Sequence, residues 1–199
     1  MCNRFRMTAS AEELSRRYGF EVRHPEHVDL PPPELFPDKP AYVVRQVDRG
    51  RALDVMRWGF PFQTPGKTKI IETRVTNVRN LDSGFWRTAL TRPERRCLVP
   101  LTAFSEYGQT RGADGKLPLH WFTVPSRPIT SFAGVWRPLE GGAKAFAFLT
   151  CEPNALVAPI HPKAMPVLLH QEDEQRWLNG ELGDLVSPFP SQPMVVDAD

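Results

Sequence analysis

Proline constrains this chain more than any other residue. There are 21 in 199 residues, about twice the usual share of roughly 5%. Each fixes φ, removes a backbone donor and stops or kinks a helix, so the architecture has to be assembled from many short elements. The densest stretch holds Pro31, Pro32, Pro33, Pro37 and Pro40 and reads as an extended loop. Apolar residues at 41% and charged residues at 24% suffice for one packed domain. The longest apolar runs, such as Ala155 to Ile160, fall far short of the roughly 18 residues of a membrane span. No apolar stretch follows the basic start at Arg4 and Arg6, which argues against a signal peptide.

Within that frame, Ser10 and Glu13 form a capping box and Gly19 a stop, predicting a helix over Ala11 to Tyr18 with Leu14 and Tyr18 facing inward. Tyr42 to Val47 and Ala52 to Trp58 read as strands around a turn at Asp48-Arg49-Gly50. Ser83 is placed to cap a short helix carrying Phe85, Trp86 and Leu90. Further strands are predicted at Arg96 to Val99, Ala103 to Tyr107, Leu119 to Val124, Ser131 to Trp136, Ala145 to Cys151 and Met165 to His170. Glu172 to Asn179 reads as a helix ended by Gly180. The tail from Ser187, with Pro188, Pro190 and Pro193, reads as coil, which divides the chain into a domain over 1–186 and a tail over 187–199. The strand spacing predicts a mixed, largely antiparallel sheet or partly closed barrel with a few peripheral helices.

Three cysteines, Cys2, Cys97 and Cys151, are an odd number with no close pair. A disulfide framework and a thiolate zinc site are therefore poor readings, and a reducing, cytoplasmic setting without metal or cofactor is expected. The net charge of +2 is mild, but its distribution is not. From Lys67 to Cys97 eight Lys or Arg face three acids, whereas from His170 to Asp199 Arg176 alone faces seven acids. Such polarity suits a polyanion on one face, although solvated faces produce it more often.

Among candidate reactive groups, Cys2 becomes the N-terminal residue if Met1 is removed. It then carries an α-amine, with an ordinary pKa of about 7.7–8.0, beside a thiol at about 8.5. That pair condenses with aldehydes: the amine forms an imine and the thiol closes a thiazolidine ring. Asn77, Arg79 and Asn80 in Val75 to Asn80 offer amides and a phosphate-shaped guanidinium, or simply a polar turn after a short strand, which is the plainer reading. Glu106, between Phe104 and Tyr107, reads equally as a desolvated acid/base or as an edge-strand glutamate in water. His161, between Pro159 and Pro162, can shuttle protons, though a loop histidine without a role is commoner. His24 and His27 read as structural or solvent-facing, and His120 and His170 as satisfied within strands. Trp58, beside Gly59, is placed where an aromatic can stack on a base; Trp86, Trp121, Trp136 and Trp177 read as core.

Taken in order, Met1-Cys2-x-Arg4-Phe5, Arg57-Trp58-Gly59, Asn77-x-Arg79, Arg95-Arg96-Cys97-Leu98-Val99-Pro100, Phe104-x-Glu106, Phe132-Ala133-Gly134-Val135-Trp136 and His161-x-x-x-Met165-Pro166-Val167-Leu168-Leu169 closely resemble the SOS response-associated peptidase (SRAP) family of abasic-site processing proteins. The resemblance runs from residue 1 to about Asn179 and implies an α+β domain with a β-rich, barrel-like core. It implies a monomeric DNA-repair protein of the SOS response whose partner is single-stranded DNA carrying abasic sites, with no membrane, metal or cofactor. After loss of Met1, Cys2 would form a thiazolidine cross-link to the ring-opened sugar, with associated autopeptidase and lyase chemistry. Asn77 would orient the terminus, Glu106 act as acid/base and His161 assist sugar ring opening, while Arg4, Trp58 and Arg79 would contact DNA. Departures from the pattern are Asn3 in place of glycine, Leu81-Asp82 in place of Glu-Thr, and Ser105-Glu106-Tyr107 around the glutamate. Two other classes fit the residues: an N-terminal-nucleophile amidohydrolase using Cys2, and a non-catalytic single-strand-binding module built on Arg79 and Trp58.

Overall fold

The computed structural model describes residues 2–21, 31–66 and 68–198; His24 and His27 lie outside them. The chain begins with β1 (Phe5–Arg6) and α1 (Ala11–Tyr18). In α1 the Ser10 hydroxyl accepts the Glu13 N–H, and the Glu13 carboxylate accepts the Ser10 N–H. Gly19, at φ 72°, ends the helix, and Leu14 and Tyr18 are its buried face, as its spacing predicts. Strands follow: β2 (Glu34–Leu35), β3 (Pro40–Val47), β4 (Gly50–Trp58), β5 (Phe60–Pro65), β6 (Ile70–Val75) and β7 (Asn77–Val78). After α2 (Arg87–Thr91) come β8 (Arg96–Leu101), β9 (Ala103–Tyr107), β10 (Leu119–Thr123), β11 (Thr130–Pro138) and β12 (Lys144–Cys151). The chain ends with β13 (Met165–Pro166), β14 (Leu168–Leu169), α3 (Glu174–Leu178) and β15 (Val195–Ala198).

Five of these strands pair in a circuit. β12 joins β4, β4 joins β3, β3 joins β8, β8 joins β11, and β11 returns to β12. Every step is antiparallel except β12 to β4, and β7 adds a second parallel ladder to β12. The result is the largely antiparallel, ring-like core with short outer helices that the strand spacing predicts. A second, antiparallel sheet runs β15-β10-β9-β1-β2. Phe5 of β1 joins the two sheets: its ring packs edge-on against Trp58 and Phe132 at 5.1 and 5.5 Å, and Phe132 stacks on Phe148 at 4.3 Å. Gly134 is needed where β11 crosses β8, because a Cβ there would sit 2.7 Å from the Cys97 sulfur. Pro100 is tolerated because β3 bridges β8 only at Val44↔Leu98, leaving β11 as the ladder partner beyond it.

The structure corrects several local expectations. Ser83 caps no helix: α2 starts after Trp86, which makes no side-chain cap, and Ser83 contributes only its carbonyl to the Trp86 N–H. Val75 to Asn80 is not a polar turn, because Asn77 and Val78 are a buried strand. The predicted strand over Met165 to His170 is divided at Val167, whose N–H bonds to Leu149 while its carbonyl accepts from Ala133. The segment thus passes from β12 to β11. The tail is not coil to its end, since β15 pairs with β10 over Val195–Ala198. Several members of the charge runs are engaged within the fold. Arg96 is buried against Trp177 and bonded to the Leu90, Gly180 and Glu181 carbonyls; Arg176 gathers Asp173, Glu181 and Asp184.

Phe132, with no exposed surface, tests the packing account. Phe132→Ala is expected to lower unfolding free energy by about 3–5 kcal/mol, read from urea midpoints at constant m. A loss below about 1 kcal/mol would show that the aromatic cluster is not the core of the fold.

Candidate active site

The site is assembled where the N-terminal strand leaves β9. β1 pairs with β9 through Phe5↔Phe104 and Arg6↔Ala103, and the Ser105 N–H and hydroxyl both donate to the Arg4 carbonyl at 3.1 and 3.2 Å. That register carries Cys2 alongside the end of β9 that holds Glu106. Cys2 is completely buried, and its Sγ–H points at the Arg4 carbonyl, 3.5 Å away. Burial pushes the thiol well above its ordinary range, and the nearby Glu106 carboxylate adds to the effect. At neutral pH the sulfur is therefore a thiol and needs a base to react.

Asn77 approaches from the opposite side. The parallel pairing of β7 with β12 sets Asn77 opposite Phe148, and its Nδ2 donates to the Cys2 carbonyl at 3.2 Å and to the Thr76 hydroxyl at 2.7 Å. Its Oδ1 is buried without a donor. Trp58 supports this strand from beneath: the indole N–H donates to the Thr76 carbonyl at 3.2 Å, and the ring lies against Phe146 and Phe148. With 0% exposure it has no face to offer a base, which corrects its expected DNA contact. Gly59, at φ +109°, likewise meets Arg74 and Thr76 rather than open space.

Glu106 is 5% exposed and not at an edge, because β9 lies between β10 and β1. Burial raises its carboxyl to about 7, against the opposing pull of the amino terminus. Oε1 has no donor, while Oε2 lies 3.9 Å from His161 Nε2. His161 Nδ1 is 2.7 Å from the Ala164 carbonyl. A carbonyl only accepts, so Nδ1 carries the proton and Nε2 is the basic nitrogen of the neutral ring. Burial of the imidazole lowers its pKa, which keeps that neutral form present. A carboxyl near 7 and a neutral imidazole facing it can together give and take protons at physiological pH.

Cys2, Asn77, Glu106 and His161 thus converge. Arg4 and Arg79 lie further out and are already paired, Arg4 with Glu34 beneath Phe36 and Trp121, Arg79 with Glu152 and the Cys151 carbonyl. Asn3 is exposed. Thr76 and Ser105, which hold Asn77 and Arg4, do not stand out in the sequence: Thr76 lies between β6 and β7, and the available signal for Ser105 is a small polar residue beside Phe104 in a buried strand. Among the described residues no group of His, Cys, Asp or Glu is arranged to hold a metal ion, and no helix is long and apolar enough to cross a membrane.

The chain matches the family described as SOS response associated peptidase (SRAP) over residues 1–197. It is 26% identical to the abasic site processing protein YoqW of Bacillus subtilis, covering 98% of this chain and 90% of that protein. It is 23% identical to YobE of the same organism, also called an abasic site processing protein, covering 98% and 92%. Its fold is that of a crystal structure from Bacteroides thetaiotaomicron, with a TM-score of 0.77, 22% identity and coverage of 99% and 91%. A protein from Bordetella bronchiseptica gives the same TM-score at 18% identity, covering 100% and 99%.

The raised Glu106 pKa has a consequence for stability. The folded chain holds this proton more tightly than the unfolded chain, so stability falls as pH rises from about 4.5 to about 7. Glu106→Gln removes that contribution. Its urea midpoint is expected to exceed that of wild type at pH 8, with the gap closing towards pH 4.5; parallel curves across the range would mean that the carboxyl titrates as if exposed.

Proposed function

Because the chain belongs to the SOS response associated peptidase family, we propose that it repairs DNA by covalent capture of abasic sites in single strands through Cys2. The carrying observation is the convergence of a buried Cys2, the Asn77 amide on its carbonyl, and Glu106 facing His161. In this reading hydrolysis of the Met1–Cys2 bond, with Glu106 as acid/base, frees the α-amine of Cys2. Asn77 Oδ1 and Glu106 Oε1, two buried acceptors without donors, are then supplied by the new ammonium group.

The chemistry follows in balanced steps. His161 Nε2 takes the proton of the sugar hemiacetal hydroxyl as the ring C–O bond opens, and the imidazolium so formed returns a proton to the departing ring oxygen, leaving an aldehyde and a free hydroxyl. The Cys2 amine adds to that carbonyl, one of its protons passing to the carbonyl oxygen, and protonated Glu106 then protonates the departing hydroxyl, so one water leaves and an iminium forms. The resulting carboxylate accepts the thiol proton as sulfur adds to the iminium carbon, which restores the Glu106 acid and leaves the ring nitrogen neutral with its N–H. The net change is aldehyde plus aminothiol to thiazolidine and water. Reversal by the same groups, with uptake of one water, would release the abasic strand intact. A baseless nucleotide enters with little unstacking cost. Arg4 and Arg79 would exchange Glu34 and Glu152 for phosphates, giving salt-sensitive, sequence-independent binding.

Wild type, Cys2→Ala, Glu106→Gln and His161→Ala mixed with abasic and intact single strands and run on a denaturing gel test this reading. Wild type is expected to yield a heat-stable adduct with the abasic strand alone, Cys2→Ala none, and the other two adduct formation slowed about 10²-fold or more. Full DNA protection by Cys2→Ala would favour a passive binding module instead, and release of a small acyl product without DNA would favour an amidohydrolase. Arg79→Ala is expected to weaken binding uniformly across sequences and reduce the salt slope by about 1; an unchanged slope would remove Arg79 from the DNA path.

A further inference from the structure

The His161 loop and the C-terminal segment are hydrogen-bonded together through Asn154. Its Oδ1 accepts the N–H groups of Leu156 and Val157 at 3.1 and 3.0 Å, the arrangement that caps the start of a helical turn. The turn then closes: the Ala158 N–H donates to the Asn154 carbonyl at 2.9 Å, and the His161 N–H to the Val157 carbonyl at 2.8 Å. Val157 anchors it, fully buried. The backbone of His161 is therefore the far end of a turn whose near end is fixed by the Asn154 side chain.

The other end of the same amide faces the tail. Asn154 Nδ2 donates to the Phe189 carbonyl at 2.7 Å and lies 3.2 Å from the Met194 sulfur. Phe189 is buried and stacked on His170 at 4.6 Å, and Met194 is buried too. Directly after Met194 the chain enters β15, which pairs with β10, the neighbour of the strand that carries Glu106. One segment thus secures the element beneath each of the two facing groups.

We propose that Asn154 is a positioning residue that transmits the seating of the Phe189–Met194 segment to His161 and so sets the imidazole against Glu106. The kinetic consequence rests on the reading of Cys2 given above; the mechanical link does not. Nε2 and Oε2 are 3.9 Å apart, so proton transfer requires a small approach, and displacements of about 1 Å at such a pair can cost on the order of 10²-fold in rate.

Asn154→Ser separates the two functions of the side chain, because a serine oxygen can still cap the turn but cannot reach the Phe189 carbonyl. The expected result is unchanged affinity for an abasic oligonucleotide, cross-linking at saturating DNA slowed about 10- to 100-fold, and faster hydrogen exchange at the His161 amide. Met194→Ala, which loosens the segment while leaving the Asn154 cap of the turn in place, is expected to speed exchange at His161 in the same direction and guards against a misfolded Asn154→Ser. Wild-type cross-linking and exchange in both variants would overturn the proposal. If the wild-type chain forms no adduct at all, the reading of Cys2 fails, and the tether stands or falls on the exchange at His161 alone.

Discussion

The seating of Phe5 among Trp58, Phe132 and Phe148 is the interaction on which the rest of the molecule depends. β1 is a two-residue strand, far too short to hold its place by ladder hydrogen bonds alone. The aromatic side chain supplies the missing energy, since burying a Phe contributes roughly 1.5–3 kcal/mol and edge-to-face pairs add about 0.5–1.5. Once Phe5 is in place, residues 2–4 are drawn along β9, and the Arg4 carbonyl collects the Ser105 donors. Cys2 has little freedom left. A terminus that would otherwise fray becomes as fixed as the core, which is what a reactive terminal group requires.

The site is polar chemistry enclosed by this core, and it carries the thermodynamic signature of function. Glu106 and Asn77 each keep one buried acceptor without a donor, a cost of about 1–3 kcal/mol for each such group. A protein selected for stability alone would have apolar residues there. The enclosure also sets the protonation states: the same desolvation that holds the Cys2 thiol protonated lifts Glu106 towards neutrality. The Cys2 thiol is thereby uncharged at neutral pH, while the Glu106 carboxyl, near 7, is divided between acid and carboxylate, with a neutral His161 beside it.

Much of this was legible in the residues, wherever the signal was local. The capping box of α1, the β3–β4 hairpin and the exact span Ala103 to Tyr107 follow from caps, turn residues and alternation. The motifs around Cys2, Asn77, Glu106 and His161 pointed to the family before any geometry. What could not be read was set by distant partners. β7 is two residues long and exists because β12 lies parallel to it, so Asn77 looked like a turn residue. β15 follows three tail prolines and is a strand because β10 offers an open edge. The β5–β6 hairpin carries Pro61 and Pro65, which read as strand breakers in the sequence but are tolerated because both strands of this two-stranded sheet are edges. Trp58 shows the reverse error: an aromatic beside a glycine suggested a ligand face, whereas the ring is the floor beneath Thr76 and Asn77.

The central claim is that the amine and thiol of Cys2 act together on one sugar carbon. Mass spectrometry of the N-terminal peptide, isolated after reaction with an abasic oligonucleotide and nuclease trimming, addresses it directly. The account predicts a peptide beginning at Cys2, bearing the sugar remnant with the loss of one water, and with its thiol no longer alkylable. A peptide that still begins with Met1, or a sugar attached elsewhere while the Cys2 thiol remains free, would contradict it.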